Sequence, residues 1–168
     1  MSHNTKKTLI FSYGTLKRGF PNHTLIQDLI TQNDAVFIGS YITDQTLPLV
    51  QGPYGVPFLL DFPGSSQHRV RGELYSVSDT GLEKLNDLEG ITLGHYERLL
   101  ISLRSENDEV EAEAYYGHRS FAAEMWRKCG EKGFDAYTQE MAKDYVKRDL
   151  RPKDRSFRDY INFFCTSN

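Results

Sequence analysis

The sequence predicts an α+β fold, a small and strongly bent sheet or barrel with flanking helices. Three observations carry this. Short runs with period-two apolar alternation recur over residues 8–118, separated by Gly- and Pro-rich turns. Only two helical patterns interrupt them, and from Ser120 onward the spacing turns helical. Short strands in that number must bend or close to bury one face. At 168 residues the chain has the size of one domain, read as a core over residues 8–118 and a helical C-terminal extension over residues 119–168. That length buries roughly 70 % of the unfolded surface without a disulfide or metal staple.

The first strand covers residues 8–13, with Leu9, Phe11 and Tyr13 alternating with Ile10 and Ser12. It stops at Gly14 and opens into a polar, basic loop, "GTLKRG". "PNHTLIQDLITQ" then reads as a helix with Asn22 as N-cap and Leu25, Ile26, Leu29 and Ile30 on one apolar face. "DAVFIGSYITD" is a strand. "LPLVQGPYGVPFLLDFPGSSQHRVRGELYSV" contains three more, cut at Gly52-Pro53-Tyr54-Gly55 and Pro63-Gly64-Ser65-Ser66. Gly72 inside the last of them signals a bulge or a close backbone approach. In "TGLEKLNDLEG", Thr80 and Glu83 fit a capping box and Gly90 a helix stop. "HYERLLISLR" and "EVEAEAYYGH" are strands. "SFAAEMWRKCG", "TQEMAKDYVKRD" and "SFRDYINFF" are helices. In the first, Phe121, Met125, Trp126 and Cys129 share a core-facing side.

Composition narrows the function. A formal net charge of −3 gives no general attraction to nucleic acid or an anionic membrane. No apolar run approaches the ~18 residues of a membrane span, and the polar start "MSHNTKKTLIFSYG" lacks the apolar region of a signal peptide. Cys129 and Cys165 show no metal-ligand spacing, which reads as two free thiols in a reducing, cytoplasmic setting. His3, His23, His68, His95 and His118 are scattered, so no metal is expected. "VKRDLRPKDRSFRD", with six basic and three acidic residues, reads as a solvated, salt-bridged surface.

Two features point to chemistry. A glycine at a strand end lets successive backbone N–H groups converge into an anion-binding nest. Tyr13, Gly14, Thr15 and Leu16 would hold a small carboxylate there, with Lys17 and Arg18 adding positive potential. The second is Glu89. On a helical wheel at about 100° per residue, with Leu82 at 0°, Leu85 falls at about 300°, Leu88 at about 240° and Glu89 at about 340°. Glu89 therefore shares the apolar stripe, whereas Glu83 and Asp87 face outward. Burial and the negative end of the helix dipole both push its pKa up, toward the range of a general acid or base.

"YGTLKRG", "LNDLEG" and "HYERL", in that order, resemble the γ-glutamylcyclotransferase-like superfamily, in particular the γ-glutamylamine cyclotransferases and the plant avirulence-induced-gene-like proteins. "LPLV" and "VPFLL" are similar to further segments, and the resemblance covers residues 9–118. It implies a compact mixed β-barrel with flanking helices. It implies an enzyme that needs no cofactor and cyclises a small-molecule γ-glutamyl amine or peptide to 5-oxoproline, releasing the amine. It further implies that the loop from Tyr13 through Gly14 and Thr15 to Leu16 binds the γ-glutamyl head group and that Glu89 is the acid/base. Tyr96 and Arg98 match a recurring Tyr-x-Arg. Tyr116 matches a late-strand tyrosine near the pocket, with Tyr115 the adjacent candidate. The tail beyond His118 is absent from the compact vertebrate enzymes and looks more like the plant branch. Two other functions fit the same residues: a non-catalytic binder of γ-glutamyl compounds meeting a partner through its C-terminal helices, and a related enzyme that removes a γ-glutamyl group during biosynthesis. The leaving amine and the oligomeric state are left open.

Overall fold

The computed structural model describes residues 7–167, so His3 and most of the polar N-terminal stretch lie outside the described residues. Five strands close a barrel: β1 (Thr8–Ser12), β2 (Ala35–Thr43), β5 (Arg71–Val77), β6 (Tyr96–Arg104) and β7 (Glu109–Gly117). The order is β1-β5-β2-β6-β7, and a parallel pairing of β1 with β7 at Ile10 and Glu113 completes the ring. The other four contacts are antiparallel. Two short strands, β3 (Leu49–Gln51) and β4 (Pro57–Leu59), extend the sheet from β7, where Leu59 pairs with Tyr116. The bent sheet expected from the sequence is thus a closed barrel with an added hairpin.

Alternation along the strands sorts side chains into two packed clusters. Ile10, Tyr75, Val77 and Tyr115 join the helices' Ile26, Leu29 and Leu85 in one. Phe11, Tyr13, Leu74, Leu103, Ala114 and Tyr116 form the other, together with Tyr137 from the tail. Gly72 is a close approach rather than a bulge: a Cβ there would sit 2.5 Å from the Ser12 carbonyl oxygen and 2.7 Å from the Phe11 ring. The register shift falls in β2, between Phe37 and Gly39.

Helix α1 (His23–Thr31) buries Ile26 and Leu29, as its spacing predicts, but Leu25 is 40 % exposed. Asn22 occupies the N-cap without a capping bond from its side chain. Helix α2 (Asp79–Leu88) is capped by Ser78 rather than Thr80: the Ser78 hydroxyl accepts from the Gly81 N–H at 3.1 Å and donates to Asp34 Oδ1 at 2.8 Å. The pairing with Asp34 moves the helix start two residues upstream of the Thr80 capping box.

The C-terminal extension packs against both side-chain clusters. Helix α3 (Arg119–Lys128) buries Phe121, Ala122, Met125 and Trp126. Helix α5 (Phe157–Thr166), started by a capping box from Ser156 and Asp159, buries Ile161 in the same cluster. Between them only α4 (Gln139–Ala142) and a 3-10 turn, Arg148–Leu150, are helical. The predicted long helix breaks because tertiary bonds outcompete it. The Val146 N–H donates to the Tyr54 carbonyl at 2.9 Å, and the chain at Asp144 presses on Gly55, where a Cβ would meet Asp144 backbone at 2.5 Å. Tyr137, fully buried, donates to the Gly55 carbonyl at 3.0 Å. The tail is therefore laid across the turn between β3 and β4.

Candidate active site

The site forms where β1 ends. Gly14 abuts the first residue of β4, since a Cβ there would lie 2.7 Å from Pro57 Cγ. The loop is tied down on its far side. The backbone N–H and Nε of Arg18 both donate to the Glu73 carboxylate at 2.9 Å, and Lys17 Nζ donates to the Tyr137 carbonyl at 2.8 Å. The Arg18 guanidinium stacks on Phe37 and the Lys17 ammonium on Phe20. Both cations thus anchor the loop, and the positive potential expected of them at the site comes from elsewhere. Asn22 reaches back from the start of α1, donating to Thr15 Oγ1 at 2.9 Å and to the Tyr145 hydroxyl at 2.8 Å. Among the described residues, the N–H groups of Gly14, Thr15 and Leu16 donate to no protein acceptor. All three residues line a cavity of about 500 Å³, a volume typical of small-molecule sites.

Glu89 stands on the wall of the same cavity. It is the C-cap of α2, one step beyond the last helical turn expected for it. Gly90 follows in the left-handed conformation (φ 64°) and turns the chain toward His95, whose Nδ1 a Cβ on Gly90 would strike. Among the described residues the Glu89 carboxylate makes no hydrogen bond and no ion pair. Burial pushes its pKa up to about 7, with the Arg148 charge acting in the opposite direction. Asp87, one turn away from the buried stripe, is exposed at the cavity rim. The outward position read from the wheel is correct.

A frame of buried phenols fixes these two walls relative to each other. The Tyr13 hydroxyl donates to the Tyr115 carbonyl at 2.5 Å and accepts from the Leu59 N–H at 3.2 Å. The Tyr96 hydroxyl donates to the Pro57 carbonyl at 2.9 Å, and its ring stacks on Phe58. Burial, reinforced by the nearby Glu89 charge, raises the pKa of both phenols, so both remain protonated donors. Tyr115 lines the cavity and donates to Asn86 Oδ1 at 2.8 Å. Arg98 donates to the same oxygen at 2.9 Å, behind the wall. Tyr116, expected near the pocket, is turned to the opposite face of β7. There its hydroxyl meets the Leu100 carbonyl at 3.4 Å, beside a separate small cavity. The adjacent candidate, Tyr115, occupies the expected place, because neighbouring strand residues point to opposite faces.

The third wall comes from the tail and was missed by the sequence reading. Tyr145, Lys147, Arg148, Arg151 and Phe157 border the cavity. Arg148 Nη2 donates to the Leu88 carbonyl at 2.5 Å, satisfying an end carbonyl of α2 beside Glu89. The Arg151 guanidinium lies among the Phe157, Tyr145 and Tyr54 rings, 4.9, 5.5 and 5.8 Å from their centres. This basic stretch is solvated at Lys147, Arg148, Lys153 and Arg155, as expected, but it also lines the cavity and, among the described residues, forms no salt bridge. The only advance signal was the interleaving of Tyr145 and Phe157 with arginines. Burial, then Arg148, Arg158 and Arg151, lower the pKa of His95, so it is neutral beside the cavity. Among the described residues no group of three or more His, Cys, Asp or Glu side chains is placed to hold a metal ion, and no helix is long and apolar enough to cross a membrane.

The arrangement brings unengaged loop N–H groups, a carboxyl group whose pKa burial raises to about 7, and a row of cations to one cavity. The family described as Gamma-glutamyl cyclotransferase, AIG2-like, matches residues 10–132. An Arabidopsis thaliana protein provisionally named a gamma-glutamylcyclotransferase is 50 % identical over 185 aligned positions, covering 99 % of this chain and 98 % of its own. The gamma-glutamylaminecyclotransferase C of Danio rerio is 33 % identical, over 86 % of this chain and 97 % of its own. The crystal structure of an AIG2-like protein from Mus musculus superposes with a TM-score of 0.72 and 29 % identity, over 89 % of this chain and 99 % of that one.

Proposed function

Because the chain belongs to the AIG2-like gamma-glutamyl cyclotransferase family, we propose that its cavity cyclises a γ-glutamyl group to 5-oxoproline and releases the amine attached to it. The observation that carries this is the pairing of unengaged loop N–H groups with an unpaired glutamate, Glu89, in one cavity. The names of the Danio rerio and Rattus norvegicus relatives, gamma-glutamylaminecyclotransferases, support an amine as the leaving group.

The substrate supplies both reacting groups. Its α-amine attacks its own γ-carbonyl carbon, the C–N bond to the leaving amine breaks, and a lactam closes. No oxidant, reductant or carrier enters the balance. The loop from Gly14 to Leu16 holds the α-carboxylate through its N–H groups, which folds the glutamyl chain into the attacking shape. Orientation of this kind is worth on the order of 7–11 kcal/mol in favourable intramolecular cases. Glu89 takes the proton from the α-ammonium and passes it to the departing nitrogen. A carboxyl near pKa 7 suits that double task, since it both accepts and gives a proton at neutral pH. Tyr13, Tyr96 and Tyr115 hold the loop and the wall opposite Glu89 at fixed spacing. Two free thiols, Cys129 and Cys165, support a reducing, cytoplasmic location.

The test is to incubate the purified protein with ε-(γ-glutamyl)-lysine, a γ-glutamyl-α-amino acid and glutathione and to quantify 5-oxoproline. Product from at least one substrate is expected. No product from any of them, with ligand still raising the melting temperature, would replace the reaction by a binding role.

A further inference from the structure

The cavity's charge is lopsided. Its lining carries five cations, Lys147, Arg148, Arg151, Lys153 and Arg155, all from one stretch of the tail. The carboxylates that share the cavity are Asp87, Glu89 and Asp149. Among the described residues none of the five cations lies within 4.0 Å of a carboxylate oxygen. Burial lowers the pKa of Arg151, and the Arg148 charge acts in the same direction. Cations left without a carboxylate partner make this wall a seat for an anion.

Depth decides which part of a substrate meets these cations. The loop side of the cavity is the buried end, with Tyr13 and Leu16 no more than 6 % exposed. Lys147, Arg148, Lys153 and Arg155 are all exposed at the mouth. A γ-glutamyl head seated on the loop therefore points its amide, and the amine beyond it, toward the cationic rim. On the cyclotransferase reading above, we propose that this rim binds a carboxylate carried by the leaving amine, so that the tail selects γ-glutamyl conjugates of amino acids over those of simple amines. Arg151 and Arg155 are the specificity-determining residues. Arg151 is half-buried, lines the cavity and is fixed by its Nε donation to the Val146 carbonyl at 2.7 Å. A guanidinium meets a carboxylate with two parallel bonds, which makes the contact directional as well as charged.

Two substrates isolate the effect. γ-Glutamyl-alanine and γ-glutamyl-ethylamide share the head group and differ by one carboxylate on the leaving amine. Their affinities are measured by calorimetry on the Glu89→Gln protein, which keeps each compound intact. The alanine conjugate is expected to bind at least about tenfold tighter, the discrimination of one charge-assisted bond. The advantage should fall in Arg151→Gln and Arg155→Gln, with ethylamide affinity unchanged as the sign of an intact fold, and Arg151→Lys should restore part of it. Equal affinities in the parent would overturn the inference. A parallel loss for both compounds in the arginine variants would overturn it too, by placing the glutamyl α-carboxylate on the rim. Turnover of the same pair by the parent protein is followed separately. Discrimination without any 5-oxoproline would sustain the rim and remove the reaction.

Discussion

Glu89→Gln should make the protein more stable at alkaline pH, and the size of the gain follows from the site. In an unfolded chain the carboxyl titrates near 4.5, and in the cavity burial holds it up to about 7. The folded state thus keeps a proton that the unfolded state has already released. Stability conferred by the protonated group is complete below about pH 4.5 and is lost as pH rises toward 7, beyond which the loss is constant. At about 1.4 kcal/mol for each unit of pKa, the full penalty is about 3 kcal/mol, and partial exposure at the cavity reduces it to about 2 kcal/mol. Glutamine matches the neutral acid in shape and carries no such penalty. The assay is urea unfolding of both proteins at pH 5 and pH 8.5. The variant's advantage should be small at pH 5 and reach about 2 kcal/mol at pH 8.5. An advantage that is absent at pH 8.5, or equal at both values, would refute the argument that burial sets this carboxyl's pKa. A stability gain paired with lost turnover would mark a charge kept for chemistry at the expense of the fold.

Three further outcomes follow from the same geometry. In the parent, kcat/KM should rise with pH through about 7, as Glu89 ionises and becomes able to take the amine's proton; a profile flat from pH 5.5 to 8 would exclude it as the base. Tyr13→Phe leaves the Leu59 N–H and the Tyr115 carbonyl without their buried partner, and should cost about 1–3 kcal/mol in denaturant unfolding. Gly90→Ala forces a side chain into the left-handed region and against the His95 ring. It should lose at least about 1–2 kcal/mol from the backbone alone, and activity with it, because Glu89 is the adjacent residue.

The barrel was legible because its strands carry period-two alternation and its turns carry Gly and Pro at the cuts. Glu89 was legible because one polar residue on an apolar helical stripe breaks a local rule, and such breaks gather at functional sites. The caps were less so. Ser78 wins over Thr80 through a bond to Asp34, a partner 44 residues away that no local pattern reveals. Tyr115 and Tyr116 differ only in which face of β7 they take, and a one-residue slip exchanges the faces. The tail was the largest miss. Its helical spacing was real, yet Val146, Asp144 and Tyr137 each bind the Tyr54–Gly55 turn, and those long-range bonds override helix propensity. A run of arginines and lysines reads as solvated surface until the fold brings a cavity beneath it.

The most direct test of the central claim is the rate of 5-oxoproline release from a γ-glutamyl conjugate at pH 8, compared between the parent and Glu89→Gln. The account predicts steady product from the parent and a loss of at least about 100-fold in kcat in the variant, the scale of one proton-transfer group, with the melting temperature unchanged or raised. Comparable rates from the two proteins would contradict it, since of the three carboxylates that line the cavity among the described residues, Asp87 and Asp149 are exposed and Glu89 alone is part-buried.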